Sequence, residues 1–277
     1  MPSDEKEYLN NLVMEAVDFF NNGHAIQAAK VAIKIIAKDP DNPHANFLLG
    51  QDCAANNRLG AAQLHFEKAI TAEPSFIEAQ NSLGLIYMQT GKLNLAEEAL
   101  SKAIEQNSDY LDAHLNLGVL LSKSNRPKEG LKHLDHVIAK DKEVSKAHYF
   151  RADCLTKLAK NEDAIFSYKR ALLINPLYFE AHFNMGLLLK VEGYYYDAVV
   201  SLREAFRLQP DDLNVARYLG VTLQEMGDHA EGLRIQGRGC GYLEFYPTGQ
   251  FFFKLTGLQS GSLEFPTEMG ATVDFIL

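Results

Sequence analysis

The sequence predicts an all-α solenoid of about seven helix-turn-helix repeats, followed by a short β-rich C-terminal tail. The first observation is a small residue that recurs every 34 residues, at Gly50, Gly84, Gly118, Ala152, Gly186 and Gly220. The second is that three further columns keep the same phase: a turn column, a small-residue column and a helix-ending column. The third is a change of composition at Gly237, after which glycine and aromatic residues are enriched.

The stretch from Ile77 to Tyr110 shows what one repeat contains. Its first half carries apolar residues at helical spacing, from Ala79 to Tyr87, and its second half repeats the pattern from Ala96 to Ile104. Gly91 separates the two halves, as a turn residue would. We expect two short helices that bury their apolar stripes only against each other and against neighbouring repeats.

A helix-turn-helix period of 34 residues with these columns resembles the tetratricopeptide repeat family over roughly residues 9 to 236. The resemblance implies a right-handed superhelix whose first helices line a concave groove that binds other proteins. The sequence departs from the family where an early aromatic residue is common, since polar residues stand there: Asn46, Gln80, His114, His148 and His182.

The repeats follow one another without insertions. Residues 1–8 are predicted to be a lead-in, and the repeats are placed at 9–42, 43–76, 77–110, 111–144, 145–178, 179–212 and, in part, 213–236. Asn42 is expected to cap a helix that begins at Pro43, because a short polar side chain followed by proline favours a helix start.

The last repeat and the tail, residues 237–277, are less regular. Three glycines from Gly237 to Gly241 are expected to end the final helix at Gln236, leaving a linker. Two strands, Tyr242–Tyr246 and Gln250–Thr256, are predicted to form a hairpin, with further strands at Ser262–Phe265 and Thr272–Leu277. Two interpretations stay open: the tail caps the solenoid, or it begins a further domain.

Composition limits the class of partner. A formal charge of −9 disfavours nucleic-acid binding, which usually requires a basic surface. The polar, acidic N-terminus does not resemble a secretory signal, and no apolar window approaches the roughly 18 residues of a membrane span. Three widely spaced cysteines, Cys53, Cys154 and Cys240, are read as reduced thiols. A cytoplasmic protein is therefore expected.

Motifs for catalysis or cofactor binding are not recognised. No nucleophile motif or phosphate-binding loop stands in the sequence, so we expect a protein that is not an enzyme unless it is part of a larger one. The histidine column is read as packing residues, because residues one repeat apart do not converge on one ion. His133 and His136 share a helix face, but two ligands are too few for a closed metal site. We expect neither a cofactor nor a metal.

The groove residues are assigned from the resemblance. The positions that face the groove in the family hold aromatic and amide side chains here: Phe47, Gln51, Asn81, Asn116, Tyr149, Phe183 and Asn184. Asn116 and Asn184 match an asparagine column that grips peptide backbone in arrays similar to those of O-linked N-acetylglucosamine transferases. The alternative is that these amides cross-link neighbouring helices.

Lysines line one edge of the predicted groove. Lys123 and Lys157, with Lys190, are expected either to pair with an acidic ligand or to remain a solvated edge. The lysine and asparagine clamp of the chaperone-binding branch of the family is absent from the matching positions, which hold residues such as Phe47 and Leu115.

The function predicted from these features is that of a scaffold that binds a peptide or helix of a partner protein in the groove. The alternative is the substrate-recruiting N-terminal region of a larger transferase, of the glycosyl- or methyltransferase kind. Self-association through the C-terminal end is a further possibility, since an incompletely capped solenoid end can stack on another copy.

Overall fold

A computed structural model describes residues 3–240, 242–245 and 251–254. The helical pairs predicted from the 34-residue period are present, and the described residues form fourteen helices. By its contacts the chain divides into two compact units, residues 1–142 and 143–277.

Unit 1 holds eight helices arranged as four consecutive pairs within the described residues. They are α1 (Ser3–Asn21), α2 (Ala25–Ile36), α3 (Pro43–Ala55), α4 (Leu59–Ala72), α5 (Ile77–Gln89), α6 (Leu93–Gln106), α7 (Leu111–Lys123) and α8 (Pro127–Lys140). One apolar core lies between α1, α2 and α3, and a second runs from α3 to α7.

Unit 2 holds three helix pairs and a short pair of strands within the described residues. The helices are α9 (Ser145–Lys157), α10 (Asn161–Ile174), α11 (Phe179–Val191), α12 (Tyr195–Leu208), α13 (Leu213–Glu225) and α14 (His229–Cys240). Strand β1 (Tyr242–Phe245) pairs antiparallel with β2 (Phe251–Lys254), with Tyr242 opposite Lys254. The other predicted tail strands, at 262–265 and 272–277, lie outside the described residues, so the β-rich tail as a whole stays a prediction.

The small-residue column has a packing explanation. In three pairs a Cβ atom added to the glycine would lie 2.7 Å from the Cγ of a leucine on the second helix, as between Gly118 and Leu134. Glycine therefore lets the second helix place a large apolar residue directly against the first helix. Leu134 is fully buried in this position.

The turn column is explained by backbone geometry. All seven of its residues have positive φ, from 55° at Asn57 to 92° at Gly227. This left-handed conformation ends a helix and reverses the chain, and glycine adopts it without steric cost. Ala159 occupies the same position at φ 56° although its Cβ disfavours the conformation.

Two boundaries differ from the sequence prediction. Helix α1 begins at Ser3, so the lead-in predicted at 1–8 is wrong from that residue onward. The early residues of α1 lie against Lys38, whose Nζ is 4.7 Å from the Tyr8 ring and 3.7 Å from Glu5. These contacts join the additional residues of α1 to Lys38, which follows the end of α2.

The predicted end of the last helix at Gln236 is also wrong, because α14 continues to Cys240. Glycine costs about 1 kcal/mol in a free helix, but here it permits close packing. A Cβ atom added to Gly232 would lie 2.6 Å from the Gly220 carbonyl oxygen, so the backbones of α13 and α14 approach closely at this point. Glycine at position 232 therefore allows α14 to pack closely on α13 five residues before Gly237.

Candidate functional site

In unit 1 the predicted groove residues contact one another. Asn116 Nδ2 donates to Asn81 Oδ1 at 2.9 Å, and both residues are 7% exposed. Gln51 donates to the Ser82 hydroxyl at 3.0 Å. These amides link consecutive first helices, which is the cross-linking role that the sequence left open as the alternative.

Phe47 is half-buried and lies among three other phenylalanine rings. The ring centroids are 4.9 Å from Phe76, 6.0 Å from Phe66 and 6.1 Å from Phe20. Because these residues come from three successive helix pairs, Phe47 packs between repeats. Its role as a ligand anchor remains a prediction.

In unit 2 the predicted residues Tyr149 and Asn184 are joined by a hydrogen bond. Asn184 Nδ2 donates to the Tyr149 hydroxyl at 2.9 Å, across the same 35-residue separation as the Asn116 to Asn81 bond. The Tyr149 ring also lies 4.8 Å from that of Tyr178. Phe183 faces Tyr218, with the ring centroids 5.8 Å apart.

Asn184 borders a cleft of about 430 Å³ formed by α9, α10 and α11. Its walls combine apolar side chains with polar groups. The lining residues are Asp153, Thr156, Ala159, Asn161, Tyr168, Asn184, Leu187, Leu188 and Val191. Val191 is 79% exposed, so the apolar wall of the cleft is open to solvent. This volume is within the range of small ligand pockets and accommodates one or two side chains of a peptide.

The electrostatics of the cleft are set by one carboxylate and two phenols. Asp153 Oδ2 accepts from Lys157 Nζ at 2.8 Å. Burial, followed by the charge of Asp153, raises the pKa of Tyr149 to about 12, and the same two causes raise the pKa of Tyr168. Both phenols are therefore neutral hydrogen-bonding groups at neutral pH.

The predicted lysines include two that pair with carboxylates of the protein. Lys157 pairs with Asp153, as above, and Lys190 Nζ lies 3.1 Å from Glu225 Oε1. Lys123 is exposed. Ligand binding by these lysines remains a prediction.

The polar column that departs from the family pattern has a structural role. Its side chains donate to the backbone carbonyl six residues earlier, where the preceding helix pair ends. The bonds run from Asn46 to Pro40, Gln80 to Pro74, His114 to Ser108 and His182 to Pro176, at 2.9 to 3.2 Å. These four side chains therefore tie α3, α5, α7 and α11 to the links that precede them. No group of three or more His, Cys, Asp or Glu side chains suited to a metal occurs in the part of the chain that the structure describes.

Sequence reasoning missed several lining residues. Asp153 and Thr156 stand at the same repeat positions as the predicted residues Gln51 and Lys190, so the signal for them was present. Tyr168 gave no such signal, because it lies on a second helix and reaches the cleft only through the packing of α10 on α9.

Comparisons with known proteins agree with this architecture. Family models described as tetratricopeptide repeats match residues 13–76 and 145–176, and one described as a TPR repeat matches residues 84–125. No curated protein sequence matches the chain significantly. Within the described residues, no helix has the length and apolar character needed to cross a membrane.

Several solved structures share the fold. The structure of pilF from Pseudomonas aeruginosa aligns with a TM-score of 0.66 at 17% identity, covering 83% of this chain and 100% of that chain. MamA (41-end) from Desulfovibrio magneticus RS-1 aligns at 0.56 and 16% identity, covering 61% and 96%.

YrrB, described as a TPR protein with an unusual peptide-binding site, aligns at 0.56 and 20% identity, covering 72% of this chain and 99% of that chain. At such identities the likeness shows the fold alone. Together, the family matches show tetratricopeptide repeats at residues 13–76, 84–125 and 145–176, and the structural likeness shows the same fold over 83% of the chain.

Proposed function

We propose that this protein is an interaction scaffold that binds an extended peptide of a partner protein in the cleft of unit 2. The observation that carries the proposal is the cleft itself, where the amide of Asn184 stands beside an exposed apolar wall. An amide at such a place can bond to peptide backbone, while the apolar wall takes a side chain.

The hydrogen bond of Asn184 indicates which atom would meet the peptide. Its nitrogen donates to the Tyr149 hydroxyl at 2.9 Å. The amide oxygen is then the atom that would accept from a peptide N–H. The neutral Tyr149 phenol helps to hold the amide in one orientation, which reduces the entropy lost on binding.

The relatives support the class of ligand. YrrB is described as having a peptide-binding site, and its fold is similar to that of this chain. Asn184 would then bond to peptide backbone, as the asparagine column does in the arrays of O-linked N-acetylglucosamine transferases. The proposed partner is a protein in the cytoplasm, and the net charge of −9 disfavours nucleic acid as a ligand.

A peptide-display selection on the full chain tests the proposal. Selected peptides are then measured against Val191→Asp, which places a charge on the exposed wall of the cleft, and against Leu173→Asp. Leu173 is 70% exposed and, like Val191, lies in the last turn of its helix, but it is outside the cleft. A charge there controls for surface effects.

We expect Val191→Asp to weaken peptide binding about tenfold or more, because a charge on the apolar wall loses the burial of one side chain. Leu173→Asp should bind as the wild type does. Equal affinity of the two variants, or the enrichment of no peptide, would contradict the proposal.

A further inference from the structure

Three imidazoles meet where α8 packs on α7. His114 Nδ1 and His133 Nδ1 are 2.9 Å apart, and the ring of His136 stacks on that of His114 with centroids 4.3 Å apart at 29°. His136 Nε2 is buried without a hydrogen bond and lies 3.8 Å from Asp109 Oδ1. The cluster joins residues of two helices, and in the sequence these histidines stand at separate positions.

The geometry of the first pair is that of a hydrogen bond. The ring centroids of His114 and His133 are 5.1 Å apart, close to the nitrogen separation plus the two ring radii, so the nitrogens face each other. A metal held by both would need lone pairs that converge at about 2.0 Å from each nitrogen. The facing arrangement instead requires one donor and one acceptor.

The neighbouring carbonyl decides which histidine is the donor. His114 Nε2 lies 3.0 Å from the Ser108 carbonyl oxygen, which can only accept, so Nε2 carries the hydrogen. In a neutral His114 the Nδ1 atom is then an acceptor. His133 Nδ1 donates to it.

Protonation of both rings would remove this bond, whereas a single added proton leaves one donor and one acceptor, because a neutral His133 with its hydrogen on Nε2 can accept at Nδ1. With both rings charged, the facing nitrogens would each carry hydrogen at 2.9 Å, and the two charges would lie against each other and beside His136. Burial is the main reason that the pKa values of both His114 and His133 are lowered, and the charge of His136 acts in the same direction.

Other charged groups around the pair act in both directions. For His114, the Ser108 carbonyl and Asp109 favour the proton. Asp109 is itself engaged with Lys140, whose Nζ lies 2.8 Å from its carboxylate. For His133, Lys132 disfavours the proton and Glu129 favours it.

Repeat two contains the same contact without the second imidazole. His65 Nδ1 lies 3.0 Å from Asn46 Oδ1, across the same separation of 19 residues. The amide oxygen accepts whether His65 is neutral or charged, since Nδ1 carries hydrogen in both forms. This pair is therefore an internal reference that keeps its bond at low pH, although burial and the nearby cations Lys68 and Arg58 also lower the pKa of His65.

We propose that the His114 and His133 pair is a pH-sensitive latch, and that its protonation loosens the packing of α8 on α7. The fourth repeat would then lose more stability at mildly acidic pH than the second repeat, which keeps its hydrogen bond. Asn116, two residues along α7, bonds to Asn81 of α5, so the loosening also reaches an amide link between repeats.

The direction of the pH effect follows from linkage. Because both pKa values are lower in the folded protein, the unfolded or locally opened state binds more protons below about pH 6.5. Stability of the α7 and α8 pair is therefore full above this pH and falls as the pH is lowered through and below it.

Hydrogen exchange of the full chain tests the latch. After correction for intrinsic rates, we expect amides of α7 and α8 to lose about tenfold in protection between about pH 7.5 and pH 5.5, relative to amides of α3 and α4, the effect of one unit of pKa difference. His114→Asn should abolish the difference, because asparagine can accept from His133 as Asn46 accepts from His65.

His182→Asn is the matched control. His182 stands in the same column and donates to the Pro176 carbonyl at 2.9 Å, so its replacement should leave the pH response of α7 and α8 unchanged. A wild type in which α7 and α8 lose no more protection than α3 and α4 would overturn the proposal. So would a full tenfold loss in His114→Asn.

Nitrogen NMR of the wild-type imidazoles tests the latch without substitution. We expect hydrogen on Nε2 of His114 and on Nδ1 of His133 near pH 7.5, with both rings titrating below about pH 6.5. A different pair of tautomers, or a ring already mostly charged at that pH, would refute the latch.

Discussion

The two units use the same position of the repeat differently. In unit 1, Asn116 donates to Asn81, and both amides are nearly inaccessible. In unit 2, Asn184 donates to the Tyr149 hydroxyl, is half-buried and borders an open cleft. The asparagine is the same in both, but the residue it meets in the preceding repeat is not.

This difference teaches that the role of a groove position depends on its neighbour one repeat earlier. Two short amides can satisfy each other and close the space between them. A tyrosine instead brings a large ring, which packs at a tilt against Tyr178 with the centroids 4.8 Å apart. The role of a groove residue therefore has to be predicted together with the residue that it meets in the preceding repeat. One column of the repeat is not sufficient.

Replacing the buried amide should give the largest change in stability. We expect Asn116→Ala to lower the free energy of unfolding by about 1–3 kcal/mol, because Asn81 loses its partner in a buried site. Asn184→Ala should cost less, about 1 kcal/mol or below, since water can reach the half-buried position. Urea unfolding of both variants measures the two losses of stability. An equal or larger loss for Asn184→Ala would contradict the prediction.

Removing the Tyr149 hydroxyl should cause a smaller loss of stability, because it removes one hydrogen bond in unit 2. Tyr149→Phe keeps the ring and its contact with Tyr178 but leaves the Asn184 nitrogen without this acceptor. A loss of about 0.5–1.5 kcal/mol is expected from one hydrogen bond. A double-mutant cycle with Asn184→Ala should show coupling between the two side chains, and strictly additive effects would argue against the bond.

The smallest effect is expected at the turn that borders the cleft. Ala159→Gly should stabilise the protein by about 0.5–1 kcal/mol, because φ is 56° there and glycine avoids the Cβ clash. Gly193→Ala, at φ 81° in the next repeat, should destabilise by a similar amount. Thermal unfolding of the two variants provides the measurement, and shifts of the same sign would contradict the explanation.

The sequence predicted the elements that depend on short-range chemistry. The helix start at Asn42 and Pro43 is confirmed, with Asn42 Oδ1 accepting from Ala45 N at 3.1 Å. The turn column was identifiable because left-handed backbone selects glycine and asparagine. The helix through Gly237 was not, because three glycines within five residues disfavour a helix and the sequence does not show how α14 packs on α13.

The site was predictable only in part for a related reason. Asn184 and Tyr149 were both identified, but their bond joins residues 35 positions apart and depends on the register of α11 against α9. The histidine cluster was missed because its members, His114 and His133, stand on different helices. A search for pairs separated by 19 residues would have found it, together with Asn46 and His65.

The hydrogen bonds from the polar column to the links between helix pairs indicate which residue types can replace one another in that column. Asn46, Gln80, His114 and His182 differ in length and charge, yet each presents a nitrogen donor to the carbonyl six residues before it. Asparagine, glutamine and histidine can thus replace one another in this column without loss of the hydrogen bond to the link. That freedom allows a repeat to acquire an imidazole at a structural position, so that a pH response can arise from residues that first served only to hold consecutive repeats together.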